Sequence, residues 1–283
     1  MPPFLAQAQN ELHDLTAVRF VAGALAEVSI KKMRTLKRDF EQSRTFFEEI
    51  RRLYRIVQEH APIHVITGPA IAVALTSNHR FYGTLNRDVM RSFVDGLWQT
   101  GGEGIVVGRT GKTMLAESPY ADRIPAVVFN DDMPTAGELT LLKQRLSSYG
   151  RIIFYYPEFV TIITQRVAAV DISAEAMLVV SDGHPDDTPS VATHLFEPEI
   201  GELADFFATA VRHFVLTSAF FESEVARTSA RMLAMSQAEE RASTAIGEQH
   251  SAIGKAFASV QSMRLLETVT VLKQWRHMNT TIR

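Results

Sequence analysis

The chain has 283 residues, is 46% hydrophobic and carries a formal net charge of −3, so it can bury the core of one or two domains and has no global pull toward nucleic acid. It contains no cysteine, which excludes disulfides and thiolate metal sites. The opening Met1-Pro2-Pro3-Phe4-Leu5-Ala6 lacks a basic region followed by a long apolar run, and no run of about 18 apolar residues occurs elsewhere, so neither a secretory signal nor direct membrane insertion is expected.

Residues 10–61 read as one long helix. Leu15, Val18, Ala22, Leu25, Ser29, Met33, Leu36, Phe40, Phe47, Ile50, Tyr54 and Val57 recur at alternating three and four spacing, with Gly23 as the one interior glycine. Lys31, Lys32, Arg34, Lys37 and Arg38 fall within eight residues of it with no acid among them. Such a cluster is either a solvated helix face or a docking surface for an acidic partner. Nucleic acid ranks below both, because no aromatic side chains interleave the cations.

Nine of the eleven prolines and twelve of the fifteen glycines lie between Pro62 and Gly201, so the middle is a loop-connected domain and the flanks are continuous helix. Residues 71–76 read as a buried strand, and Asn86 is expected to cap a helix over 87–98. A second strand follows at 104–108 and a short third at 126–129. Thr135 starts a helix carrying Leu139, Leu142 and Leu146 that ends near Gly150. Residues 151–156 and 159–171 read as a strand pair joined at Pro157-Glu158, and 181–190 as a loop. Strand–helix–strand order implies a parallel crossover, and the later pair allows an antiparallel one, so a mixed sheet is expected.

The region beyond Gly201 is again proline-free. Val211, Phe214, Ser218, Phe221, Val225, Thr228, Met232, Met235, Ala242, Ile246, Ile253, Ala256, Val260 and Met263 make a second seam, broken by Glu239, Gln249 and Glu267. The fold class is therefore α/β: a long antiparallel coiled coil of the terminal helices, 1–61 and 201–283, and a central α/β domain, 62–200. Paired antiparallel, the helices would protrude and leave residues 270–283 without a partner.

Candidate chemistry is sparse. Gly108-Arg109-Thr110-Gly111-Lys112-Thr113 invites a phosphate-loop reading, but the glycine that motif needs five positions before Gly111 is Val106. A strand end and tight turn with two exposed cations is expected instead. His184, Asp186 and Asp187 could be metal ligands but have no second cluster at helical or hairpin spacing to join, so a solvated loop is expected, and Ser77 and His79 lack an acid tied to them. Arg227, Arg231 and Arg241, mixed with Glu222, Glu224, Glu239 and Glu240, read as a solvated or interhelical salt-bridge face.

Five segments in order resemble the gamma subunit family of F-type ATP synthase. Leu75-Thr76-Ser77-Asn78-His79-Arg80-Phe81-Tyr82-Gly83-Thr84-Leu85-Asn86 is similar to its Thr-Ser-Asp-Arg-Gly-Leu-Cys-Gly-Gly-Leu-Asn segment, and Val106-Val107-Gly108-Arg109-Thr110-Gly111-Lys112 to its Val-Gly-Arg-Lys-Gly strand end. Tyr156-Pro157-Glu158-Phe159-Val160 with Thr164-Gln165 resembles its hairpin. Phe196-Glu197-Pro198, and then Ser229-Ala230-Arg231-Met232-Leu233-Ala234-Met235, resemble the beginning and body of its last helix. The resemblance implies a central-stalk rotor subunit of a proton-translocating complex, passing torque between a membrane rotor ring of c subunits and the catalytic alpha/beta hexamer. It implies contact with the epsilon subunit, no catalytic residue, no cofactor or metal, and a peripheral place on the cytoplasmic face of the membrane. Residues expected against the hexamer are Lys31, Lys32, Arg34, Lys37, Arg38, Phe257, Glu267 and Trp275.

The chain also departs from that pattern. The family's lysine-rich start is the largely uncharged 17–25 stretch here, its Glu before the Ala-Ala-Arg-Met segment is Arg227, and its Arg-Gln pair falls at Phe257-Ala258, while Glu267 keeps the following acid. An apolar bearing in place of polar contacts is therefore expected at the end of the last helix. Two other classes remain open: a non-rotary scaffold whose helical hairpin binds another partner, and a small-molecule enzyme using the sheet edge near residues 76–80.

Overall fold

The computed structural model describes residues 3–58, 68–172 and 200–281. In chain order these form α1 (Pro3–Gln58), β1 (Ala70–Leu75), α2 (Leu85–Gly96), a 3-10 turn (Leu97–Thr100), β2 (Gly104–Val107), α3 (Arg109–Ala116), β3 (Ala126–Val127), α4 (Ala136–Leu146), β4 (Arg151–Phe159), β5 (Gln165–Asp171) and α5 (Ile200–Thr281). The loop expected at 181–190, with His184, Asp186 and Asp187, lies outside the described residues.

The five strands make one mixed sheet in the order β3-β2-β1-β4-β5. All neighbours are parallel except β4 and β5. From β1 the chain steps outward to β2 and β3, then returns to β4 on the other side of β1. A right-handed crossover that reverses direction has to use the opposite face of the sheet. Accordingly α2 and α3 cover one face and α4 the other. Side-chain alternation along β1 sorts the two cores. Ile71, Val73 and Leu75 join α4 and the Leu216 and Phe220 side chains of α5, whereas Ala72 and Ala74 leave room for Val89 and Phe93 of α2.

Local chemistry moves several boundaries from where the sequence places them. Thr135 caps α4 as expected, in a capping box with Glu138. Asn86 does not cap α2; Thr84 holds that position, because the Asn86 side chain is bonded to Ser77 instead. The segment from Arg109 is a helix and not a turn. Strand β4 runs through Pro157-Glu158, and the reversal falls at 160–164, where Thr161 N donates to Thr164 O at 2.9 Å. Pairing with β1 stops opposite Tyr155, so Pro157 stands where β4 has become an edge and can lack an N–H.

The chain divides into two compact units, residues 28–234 and residues 1–27 with 235–283. Within each, α1 and α5 lie antiparallel. In the larger unit, Met33 and Leu36 of α1 pack with Val225 of α5. In the smaller one, Gln249 donates to Ala8 O and to Glu11 Oε2. A Cβ on Gly23 would stand 3.0 Å from the Glu239 carboxylate. Two of the polar intrusions into the α5 seam are thus matched, one by a backbone carbonyl and one by a glycine. Of the expected α1 seam, Ala22, Ser29, Met33 and Leu36 are buried; Ala26 is buried in place of the expected Leu25, Leu5 is buried ahead of the seam, and Val18 is 52% exposed. On α5 the seam stays partly covered to Val260, after which Met263, Leu266, Val269 and Leu272 are exposed. No helix among the described residues is long and apolar enough to cross a membrane.

Candidate functional site

The carboxyl end of β1 is the point where strand order reverses, and open α/β sheets gather their contacts at such a point. Thr76 Oγ1 donates to Val107 O at 2.6 Å and accepts from Gly111 N at 3.0 Å. Thr110 N donates to Ser77 O at 2.8 Å, and Arg109 N to Asn78 Oδ1 at 2.9 Å. A phosphate would need those first amides of α3 free, and the end of β1 occupies them. The two glycines serve this close approach. A Cβ on Gly108 would lie 2.6 Å from Thr76 O, and one on Gly111 2.4 Å from Thr76 Oγ1.

An acid does reach His79, contrary to the sequence reading: its Nε2 lies 3.2 Å from Asp131 Oδ1. The fully buried Ser77 hydroxyl, however, donates to the His79 backbone carbonyl at 2.7 Å and accepts from Asn86 Nδ2 at 2.8 Å. It faces the carbonyl and not the ring, so the three are not arranged for nucleophilic attack. His79, Asp131 and Asp132 bring ligand-type atoms within 4.8 Å of one another. The Asp132 oxygens already accept from Asn78 N and, at 2.6 Å, from the Tyr82 hydroxyl. The hydrogen bond from Asp132 N, ahead of the His79 contact, holds the Asp131 carboxyl below its usual range. These groups close a loop against its neighbours, and a cation would have to displace those bonds.

On α5 the interhelical half of the sequence reading holds for Glu224, which pairs with Lys32 of α1, but not for Arg227. Arg227, expected on a solvated or interhelical face, is 1% exposed. Its Nη1 donates to Thr76 O at 2.9 Å and its Nη2 to Glu224 Oε2 at 3.3 Å. Glu224 is itself fully buried, and its other oxygen receives the Lys32 ammonium from α1. One turn further, Arg231 Nη2 donates to Arg80 O at 3.2 Å, and its guanidinium stands 4.3 Å over the Tyr82 ring. The departure from the family's Glu at 227 was the one signal available, and it gave no partner. Only the fold brings Thr76 and Lys32 to it.

Glu222, on the same helix, accepts from Tyr156 OH at 2.9 Å. Burial raises its carboxyl above the ordinary range, against the opposing Tyr156 hydrogen bond, and Glu158 adds to the rise. The folded protein therefore holds this proton more tightly than the unfolded chain. The resulting stability is present at acid pH and is lost as pH climbs through the raised pKa. Glu222→Gln is expected to flatten that loss, which melting temperatures from pH 4 to pH 7 will read.

Of the residues expected against partners, Lys31, Arg34, Lys37 and Arg38 are exposed on α1, whereas Lys32 is turned to Glu224 and is 37% exposed. Phe257 is 45% exposed and Glu267 lies on the uncovered end of α5. The Trp275 side chain lies outside the described residues. Arg80, at the 76–80 sheet edge, and Arg109, one of the two cations expected to be exposed, line an open cleft of about 500 Å³ at the end of β1 together with Arg87, which the sequence did not single out.

Comparison with known proteins places this geometry. A family model described as ATP synthase matches residues 5–256. The ATP synthase gamma chain of Nitrosospira multiformis is 23% identical, over 93% of this chain and 96% of that one. That of Methylococcus capsulatus is 24% identical, over 88% and 91%. Among solved structures, a chain of the central stalk and c-ring of Tetrahymena thermophila mitochondrial ATP synthase superposes with a TM-score of 0.55 at 17% identity. It covers 77% of this chain and 99% of its own. A chain of the Euglena gracilis mitochondrial enzyme gives 0.53 at 14% identity, over 89% and 94%. These two show a shared fold. With nearly nine-tenths of its length matched by the family model and gamma chains as its relatives, the chain belongs to the ATP synthase family.

Proposed function

We propose that the chain is the central-stalk gamma subunit of an F-type ATP synthase, a non-catalytic rotor that passes torque between a membrane rotor ring and an alpha/beta hexamer. The observation that carries this reading is the α1–α5 pair. Each helix is one continuous element that takes part in both units, antiparallel to the other, and α5 is also part of the core of the α/β domain. Twist applied to such a helix reaches the sheet it packs on.

The uncovered apolar end of α5, with Met263 and Leu266, together with the exposed Phe257 just before it, is the bearing in this reading. An apolar contact has no directional bond, so it slides between equivalent subunits. Lys31, Arg34, Lys37 and Arg38 form a cationic collar for acidic segments of the hexamer, and the complex sits peripherally on the cytoplasmic face of the membrane. The test is recovery of the tagged chain from its native membrane. ATP-hydrolysing partner subunits are expected with it, and their absence contradicts the reading. Reversing Lys31, Arg34 and Lys37 to Glu is expected to weaken recovery of those partners and leave the fold intact. Exposed ion pairs contribute only about 0.2–1 kcal/mol each to stability.

A further inference from the structure

We propose that the buried Glu224–Arg227 pair, joined by Lys32 of α1 and clipped to the Thr76 carbonyl, is a torsional lock that fixes the rotational register of α5 against the α/β domain. This rests on the rotor reading above. Five side chains within ten residues of α5 make polar contacts to five different segments. Glu222 meets Tyr156 of β4, Glu224 meets Lys32 of α1, and Arg227 meets the end of β1. Ser229 Oγ donates to Ile162 O at 2.7 Å in the β4–β5 turn, and Arg231 holds Arg80 O and the Tyr82 ring. Elsewhere the described seam is largely apolar, and apolar surfaces tolerate small rotations that hydrogen bonds do not.

Thr76 is the pivot. Its carbonyl takes the Arg227 donor, its amide donates to Val107 O at 2.8 Å, and its hydroxyl joins β2 to α3. Rotation of α5 at Arg227 therefore pulls on the sheet at the centre of its strand order, and cannot be absorbed by a surface loop. Stability alone is a poor reason for such a group. Burying the Glu224 and Arg227 charges is costly, and well-packed apolar replacements are often neutral or better. Arg227 Nε and the neighbouring Ser223 Oγ have no hydrogen-bond partner among the described residues, so the group is not even fully satisfied. Its best-attested use is register.

The test compares the assembled complex carrying the native chain with one carrying the triple variant Lys32→Met, Glu224→Leu, Arg227→Met. Melting of the isolated chain, ATP hydrolysis and ATP-driven ion pumping are measured for each. The proposal expects native-like melting, assembly and hydrolysis, with ions pumped per ATP falling at least about twofold. A second variant, Arg227→Lys, keeps the charge but cannot reach Thr76 O and Glu224 together with a planar fork. It is expected to lower the pumping ratio in the same direction, and it decides the matter if the triple variant does not fold. A native pumping ratio in a folded triple variant or in Arg227→Lys overturns the lock. Failure of the native chain to assemble with ATP-hydrolysing subunits would instead overturn the rotor reading.

Discussion

Glu224→Ala is expected to destabilise the unit containing the α/β domain by about 3–5 kcal/mol, the usual cost of breaking a buried ion pair by removing one partner. For a domain of this size that lowers the melting temperature by on the order of 10 °C. The reason is the position of the acid. Glu224 is fully buried between two cations, and Arg227, at 1% exposure, has no water to turn to once the carboxylate is gone. Lys32→Met provides the contrast. The lysine side chain is 37% exposed, so its pair is partly screened by water, and the Glu224–Arg227 pair survives its loss. Its cost should stay near 1 kcal/mol, toward the surface range. Equal costs for the two variants would show that the buried pair is not the centre of the group.

Gly108→Ala is expected to be the second severe change, although it adds a single methyl group. Gly108 has φ +106 and ψ 150, a region that side chains other than glycine's hardly enter, at a cost on the order of 1–3 kcal/mol. The new Cβ would also stand 2.6 Å from the backbone oxygen of Thr76, which cannot swing aside like a side-chain tip. Displacing that segment breaks the bonds from Thr76 Oγ1 to Val107 and from Gly111 to Thr76, and with them the seat of Arg227. Thermal melting should fall at least as far as for Glu224→Ala. Gly137→Ala, on α4 with nothing within 4 Å of a new Cβ, should by comparison raise helix stability slightly. A mild Gly108→Ala phenotype would mean the β2–α3 junction is looser than its contacts imply.

Much of this architecture is written in local patterns. The alternation of Ile71, Val73 and Leu75 with small alanines specified a strand between two covered faces, and Thr135 with Glu138 specified where α4 begins. The three-four spacing from Ala22 to Leu36 and from Phe214 to Val260 specified the paired helices. What the sequence hid depends on partners distant in the chain. Asn86 has the residue type of a helix cap, but its side chain is claimed by Ser77 nine residues earlier. Gly108 and Gly111 suggest a phosphate cradle until Thr76, more than thirty residues back, fills it. Arg227 reads as part of a solvated or interhelical salt-bridge face because charge spacing on one helix carries no information about a carbonyl 151 residues away. His79 was read without an acid because Asp131 arrives from a loop 52 residues further on.

The central claim is mechanical, and rotation tests it most directly. The chain would be assembled with its own alpha and beta subunits on a fixed surface, with a probe attached to an exposed position of the α/β domain such as Leu141. With ATP supplied, the account predicts stepwise rotation of the probe in one direction, at a rate that follows hydrolysis. A complex that assembles and hydrolyses ATP while the probe stays still, or wanders in both directions, would contradict it.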